Sequence, residues 1–147
     1  MISIELARAL RDSDLVWHPV RGDNFCIDRV EADAEVYTLS DMTVEAHEFA
    51  SGTVLGFNGT TEWALDSVAL DDALWLPRED QLRELLGAAF VTLERVDSTE
   101  VLADVALESS AYRLTALVGG ASLGFQAPDA ADAYAKALLA LLDSLAT

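Results

Sequence analysis

The stretch "ALWLPREDQLREL", Ala73 to Leu85, is where the fold turns from one kind of element to another. Leu74, Trp75 and Leu76 read as the end of a buried strand. Pro77 suits the first turn of a helix, where its missing N–H would have no partner anyway. Glu79 and Asp80 then lie at the positive end of the helix dipole. Leu82, Leu85 and Leu86 make an apolar stripe, and Gly87 supplies the stop. The stretch therefore predicts a joint between strand and helix. Gln81 is the one residue the joint does not explain. With Asp80 and Trp75 it is kept as a candidate binding residue.

Upstream, "SIELARALRDSD" spaces Ile4, Leu6, Ala7, Ala9 and Leu10 as a short amphipathic helix does, with Ser3 as a candidate N-cap. "WHPVRGDNFCI" ends it, because Pro19 and Gly22 form turns. "NFCID" and "AEVYTL" read as strands. "TVEAHEF" and "TVLGF" read as a hairpin whose turn contains Gly52, and "EWALDSV" as a further strand after the turn "NGTT". Downstream, "FVTLERV", "EVLADVAL", "YRLTALV" and "SLGFQA" read as four strands of a meander. Their turns fall at Asp97-Ser98, Glu108-Ser109-Ser110 and Gly119-Gly120. The chain closes on "PDAADAYAKALLALLDSLA", a helix started by Pro128 and Asp129. Its face of Tyr134, Leu138, Leu141, Leu142 and Leu145 is expected to pack on the meander. Helix, strands, helix, strands, helix is the order of an α+β fold built on mostly antiparallel sheet. The expectation is one domain over residues 1–147, with an N-terminal half to about 88 and a C-terminal half from about 89.

A chain of 147 residues can bury a core without staples. Asp and Glu number 26 against 9 Lys and Arg, a formal net charge of -17, and the acids are spread along the chain. That field repels phosphate backbones and anionic lipid, so neither nucleic acid nor a membrane surface is an expected partner. Cys26 is the only cysteine, which rules out an intrachain disulfide and a cysteine-based zinc site. Charged residues precede any apolar run at the N-terminus, and no membrane-length apolar run follows. The expected compartment is the cytoplasm.

Several short strings resemble chemistry. "GASLG", Gly120 to Gly124, has the G-x-S-x-G form of a nucleophile elbow, which needs a helix directly after the serine and a histidine downstream. An apolar strand follows instead, and no histidine lies beyond His47. "RGD" at Arg21 to Asp23 and "NGT" at Asn58 to Thr60 read as turns. His18 and His47, with Asp23, Glu45 or Glu48 nearby, lack the spacing of a metal-binding pair. Asp66, Asp71 and Asp72 lack the rhythm and glycine of a calcium loop. No phosphate-binding loop or dinucleotide motif is present, and no cofactor or metal is expected. Trp17, Trp63 and Trp75 are the remaining candidates. Buried, they anchor a core, and partly exposed they are the type most enriched at contact hot spots.

"WLPREDQL", Trp75 to Leu82, together with "FQAPDAADAYAKALLALL", Phe125 to Leu142, resembles a set of small bacterial and phage-encoded proteins. These share a WLP-x-x-DQL segment and a closing A-x-A-x-A-L-L helix. The run from Leu39 to Val68 is similar to a subset labelled pilus-assembly CpaE-like. The resemblance implies one small domain and carries over no catalytic residue. Any shared role would show at Trp75, Pro77, Asp80 and Gln81. An ATPase of that label would need a phosphate-binding loop, which this chain lacks.

The expected function is a non-enzymatic binding or adaptor domain that contacts another protein through Trp17, Trp63, Trp75, Asp80 and Gln81. A second reading is a small metal-dependent or acid/base hydrolase using His18 or His47 with nearby acids. A third is a self-associating homodimer, suggested by a mean hydropathy of +0.24 in so charged a chain.

Overall fold

The computed structural model describes residues 1–28, 35–39, 44–49, 52–57, 67–69, 72–102 and 105–146. In chain order the elements are α1 (Ile4–Asp12), β1 (Asn24–Ile27), β2 (Tyr37–Thr38), β3 (Val44–Phe49), β4 (Gly52–Phe57), β5 (Ser67–Ala69) and β6 (Ala73–Trp75). There follow α2 (Glu79–Leu86), β7 (Phe90–Leu102), β8 (Val105–Val118), β9 (Ala121–Ala127) and α3 (Ala130–Leu145). All the strand pairings are antiparallel, and the class is α+β. The chain divides into two compact units, Met1–Asp14 with Arg78–Thr147, and Leu15–Pro77. The division does not fall near residue 88. The first helix belongs with the C-terminal elements, and the second crossing lies between Pro77 and Arg78, inside the joint itself. At the first crossing Asp14 takes a left-handed backbone, φ 69°, a conformation Asp adopts more readily than most residues.

In the larger unit, α1 starts as the sequence predicts, with the Leu6 N–H donating to Ser3 Oγ at 3.3 Å. Helix α2 begins at Glu79, two residues after the Pro77 start the sequence predicts. Arg78, not Pro77, borders its first turn, with extended backbone at φ -77° and ψ 165°. The Arg78 N–H donates to Gln81 Oε1 at 3.0 Å, a side chain reaching back from the third helical position. Pro77 stands ahead of the cap. Gly87 ends the helix at φ 54°. Leu82 and Leu86, four residues apart, are buried, whereas Leu85 is 40% exposed. The stripe of an eight-residue helix is a single i, i+4 row here.

The meander has three strands, not four. β7 runs through Asp97-Ser98, and β8 runs through Glu108-Ser109-Ser110. These polar runs lie opposite each other, pairing Asp97↔Ser110, Ser98↔Ser109 and Thr99↔Glu108. Polar residues facing polar residues across a hairpin need no turn, so the ladder continues to Leu102↔Val105. The turn at Gly119-Gly120 is as predicted. Both glycines have positive φ, 59° and 81°, the requirement of a two-residue hairpin turn of the primed type.

Helix α3 is capped by Asp129, whose Oδ1 accepts from the Ala131 N–H at 2.8 Å. The same carboxylate takes the Met1 ammonium on Oδ2 at 2.9 Å, and the Ser3 N–H donates to Asp132 Oδ1 at 2.7 Å. The helix packs on β8 and β9 and also against α1 and α2. Its buried residues are therefore concentrated at Ala130, Ala131, Ala133, Tyr134, Ala135, Ala137 and Leu138. The predicted stripe fails at its far end, where Leu145 is 74% exposed. Neighbours on several sides bury the small-residue half all round and leave the last turns half covered.

In the smaller unit, β2, β1 and β6 form one sheet and β3, β4 and β5 another. The predicted "AEVYTL" strand shrinks to Tyr37–Thr38. Leu39 instead ties to the preceding turn, its N–H donating to the Asp23 carbonyl and its own carbonyl accepting from the Gly22 N–H, both at 2.9 Å. The predicted hairpin pairs Phe49↔Gly52, so Gly52 opens β4. Of "EWALDSV" the structure shows Ser67 and Val68 in strand β5, and the rest lies outside the described residues, as does "NGTT".

Asp129→Ala should lower stability by about 1 kcal/mol, the usual cost of losing such a cap, seen as a drop in Tm. Burial pushes the Asp129 carboxyl up, but the Met1 ammonium and the Ala131 N–H outweigh it and hold it below its ordinary 3.8. A depressed folded-state pKa stabilises above the unfolded value and is lost as pH falls through the folded one. The gap between wild type and variant should thus be full near neutral pH and close under acid; a gap that persists unchanged to pH 2 would contradict this. At the β8–β9 turn, Gly119→Asn should be tolerated, since Asn accepts a left-handed backbone, while Gly120→Val should lower Tm.

Candidate functional site

The best-defined polar arrangement in the smaller unit is built on Asp23, the acid of the "RGD" string. Its side chain is buried, at 1% exposure. Oδ2 accepts from Trp17 Nε1 at 2.9 Å and from the Val20 N–H at 3.0 Å. A buried carboxylate persists only where such donors replace water. The turn Val20–Asp23 closes on itself through the Asp23 N–H and the Val20 carbonyl at 3.2 Å. This string is a structural turn whose acid faces inward, and Asp23 is not available as an exposed ligand.

Trp17 is consequently a core residue, 8% exposed, packed with Phe25, Leu39 and Ala73. Its ring stacks on Trp75 at 6.4 Å with an 8° interplanar angle and leans on Phe25 at 5.6 Å. Phe25 stands opposite both Tyr37 and Trp75 in register, so three aromatic residues cross β2, β1 and β6 in one row. Phe25 and Tyr37 stack at 5.5 Å. Trp75 is half-buried, and its Nε1 is buried without a hydrogen-bond partner among the described residues. Burial, and then the neighbouring Glu35 carboxylate, raise the Tyr37 hydroxyl above its ordinary pKa.

Gln81 caps α2, which supplies the structural account the sequence left missing. Asp80 is exposed on the same turn and accepts from Arg78 Nε at 3.1 Å; that bond and the guanidinium charge hold its carboxyl below the usual range. Trp63 lies outside the described residues, as do Asp66 and Asp71. His18 is exposed, and His47 lies in β3 opposite Val54. Among the described residues no group of three or more His, Cys, Asp or Glu side chains could hold a metal ion. Nor is any described helix long and apolar enough to cross a membrane. Ser122 of "GASLG" lies in β9, within a hairpin and not at a strand-to-helix elbow.

The chain matches no family model, no curated protein and no solved structure.

Sequence reasoning passed over one surface feature. Val91, Leu117 and Leu123 are exposed, and all three lie at the same end of the β7–β8–β9 sheet. Leu123 faces Ala116, Leu117 faces Ser122, and Val91 sits in the irregularity between Phe90 and Thr92. Each is an ordinary strand residue in sequence. Only the register brings them to one end. Close by, Arg83 lies over the Phe90 ring at 4.4 Å, and Phe90 stacks on Tyr134 at 5.9 Å. Tyr134's hydroxyl is raised in pKa by burial, partly opposed by Arg83.

Trp17→Phe removes the donor to Asp23 and should cost about 1–3 kcal/mol, the penalty of a buried acceptor left short of a partner. Trp17→Ala should cost about 3–5 kcal/mol by adding a cavity. Urea unfolding measures both, and an unchanged midpoint for Trp17→Ala would place this residue outside the core.

Proposed function

We propose that the chain is a binding domain of the adaptor kind, which contacts another protein and acts by contact, not catalysis. The observation that supports it is the exposed Leu117 near the end of β8, on the sheet face opposite to that of the buried Leu114, Ala116 and Val118. A leucine exposed on that face favours a contact, where its water would be released. The net charge of -17 favours a protein over nucleic acid or an anionic membrane as the partner. A second copy of the chain is the competing occupant, and sedimentation equilibrium separates the two.

The test is Leu117→Glu, a substitution at an exposed strand position. Tagged wild type should retain a protein at near-equal stoichiometry from the lysate of its own organism. The variant should lose it about tenfold or more, since an apolar contact is replaced by a charge needing desolvation. Tm should stay within a degree or two of wild type. If the variant keeps every protein the wild type keeps, this surface is not the contact.

A further inference from the structure

We infer that the outer edge of β8 between Ala106 and Ser110 is a docking edge for an extended, basic segment of a partner protein. The segment would add as a strand in line with β9. The inference rests on the protein-binding reading for its class of partner, but uses a different part of the sheet.

Register decides which backbone groups face outward. The two-residue turn at Gly119-Gly120 makes Val118↔Ala121 a doubly hydrogen-bonded pair. The alternation then gives Ala116↔Leu123, Leu114↔Phe125 and Tyr112↔Ala127 the same character. Even-numbered residues of β8 thus direct N–H and C=O toward β9, and odd-numbered ones toward β7. The β7–β8 ladder agrees, since Leu102↔Val105 flanks its own two-residue connection. β9 ends at Ala127, opposite Tyr112. Pro128 follows, with no N–H to donate, and Asp129 already caps α3. β8 continues for seven further residues, Val105 to Ala111, about 20 Å of two-stranded ribbon. Along it Ser110, Glu108 and Ala106 direct backbone groups to a side where no described strand pairs with them.

The two other edges of this sheet are managed differently. β7 carries an irregularity between Phe90 and Thr92, and Arg95 and Asp97 form an ion pair along it at 3.0 Å. On β9, Lys136 Nζ donates to the Gln126 carbonyl at 2.8 Å, occupying an outward acceptor. Bulges and lysines are common means of blocking strand addition. Among the described residues the β8 edge meets neither. A two-stranded ribbon is also marginal alone, so a third strand has most to add there.

Charge selects the occupant. Residues 97–110 contain Asp97, Glu100, Asp104 and Glu108 and no Lys or Arg. A second copy would bring the same acids and another -17. A segment with Lys or Arg at alternate positions gains both the ladder and the attraction.

The test uses the full chain and a labelled eight-residue peptide alternating lysine and valine, read by fluorescence anisotropy at low salt. A fully N-methylated form keeps the charge but has no N–H to donate. It should bind at least about tenfold more weakly, the scale of one or two lost hydrogen bonds. Glu108→Pro removes one outward donor while the bonds to β7 stay with odd-numbered residues, and should weaken the unmethylated peptide similarly. Hydrogen exchange should slow at Ala106, Glu108 and Ser110 when the peptide binds. Equal binding of the methylated peptide would reduce the effect to charge attraction and overturn the edge. So would an absence of binding, or protection confined to another strand. None of these results touches the Leu117→Glu comparison, so the two readings fail separately.

Discussion

The larger unit depends on how closely its elements approach α3. Alanines at positions 130, 131, 133, 135 and 137 are buried, and they surround the buried Tyr134. A helix studded with larger side chains would hold its neighbours off, whereas alanines let β8, β9, α1 and α2 share one short length of it. The N-terminal end is fixed further by polar bonds from distant sequence, Met1 to Asp129 and Ser3 to Asp132. α1 therefore belongs to this unit although more than sixty residues separate it from α2. With one sheet face covered by α3, the other contributions of the sheet are made at its ends and edges.

The smaller unit is organised on a different principle. Its described core is aromatic, and one carboxylate is buried within it. Asp23 is tolerated because an indole N–H and a backbone N–H meet it, and those bonds also fix the turn that places Trp17 over Phe25 and Trp75. Removing the acceptor strands the indole, and removing the indole takes away one of the acceptor's donors. This reciprocity makes Trp17 structural in a way that exposure alone would not show.

Local signals were legible in the sequence wherever they act within a few residues. Ser3, Asp129, Gly87 and the Gly119-Gly120 pair mark element ends by capping and backbone chemistry, and the structure uses each so. Signals that need a distant partner were not. Asp97-Ser98 and Glu108-Ser109-Ser110 look like turns until each is seen to face the other. Trp17 looks as available as Trp63 until Asp23 supplies its acceptor. Leu85 and Leu145 share a helical period with buried leucines, but burial depends on which neighbours arrive. Pro77 misled by two positions because Gln81 reaches back to Arg78 and makes that residue the cap. Of the candidate binding residues, Trp17, Asp80 and Gln81 each acquire a structural account. The aliphatic end at Val91, Leu117 and Leu123 had no sequence signal at all.

The open edge and the net charge belong to one physical condition. A strand edge with outward backbone donors and acceptors pairs with any suitable strand, including that of another copy. An excess of 26 acids over 9 bases opposes such self-pairing before contact, although at physiological salt the repulsion reaches only about 8 Å. That range is comparable to the separation at which two strands begin to exchange water for hydrogen bonds, so the charge acts where it is needed. The same field has a sign. On the proposed reading it would discourage an acidic strand and draw in a basic one, and the composition would select partners as well as oppose self-association. A chain with this edge and a balanced charge would have lost both properties together.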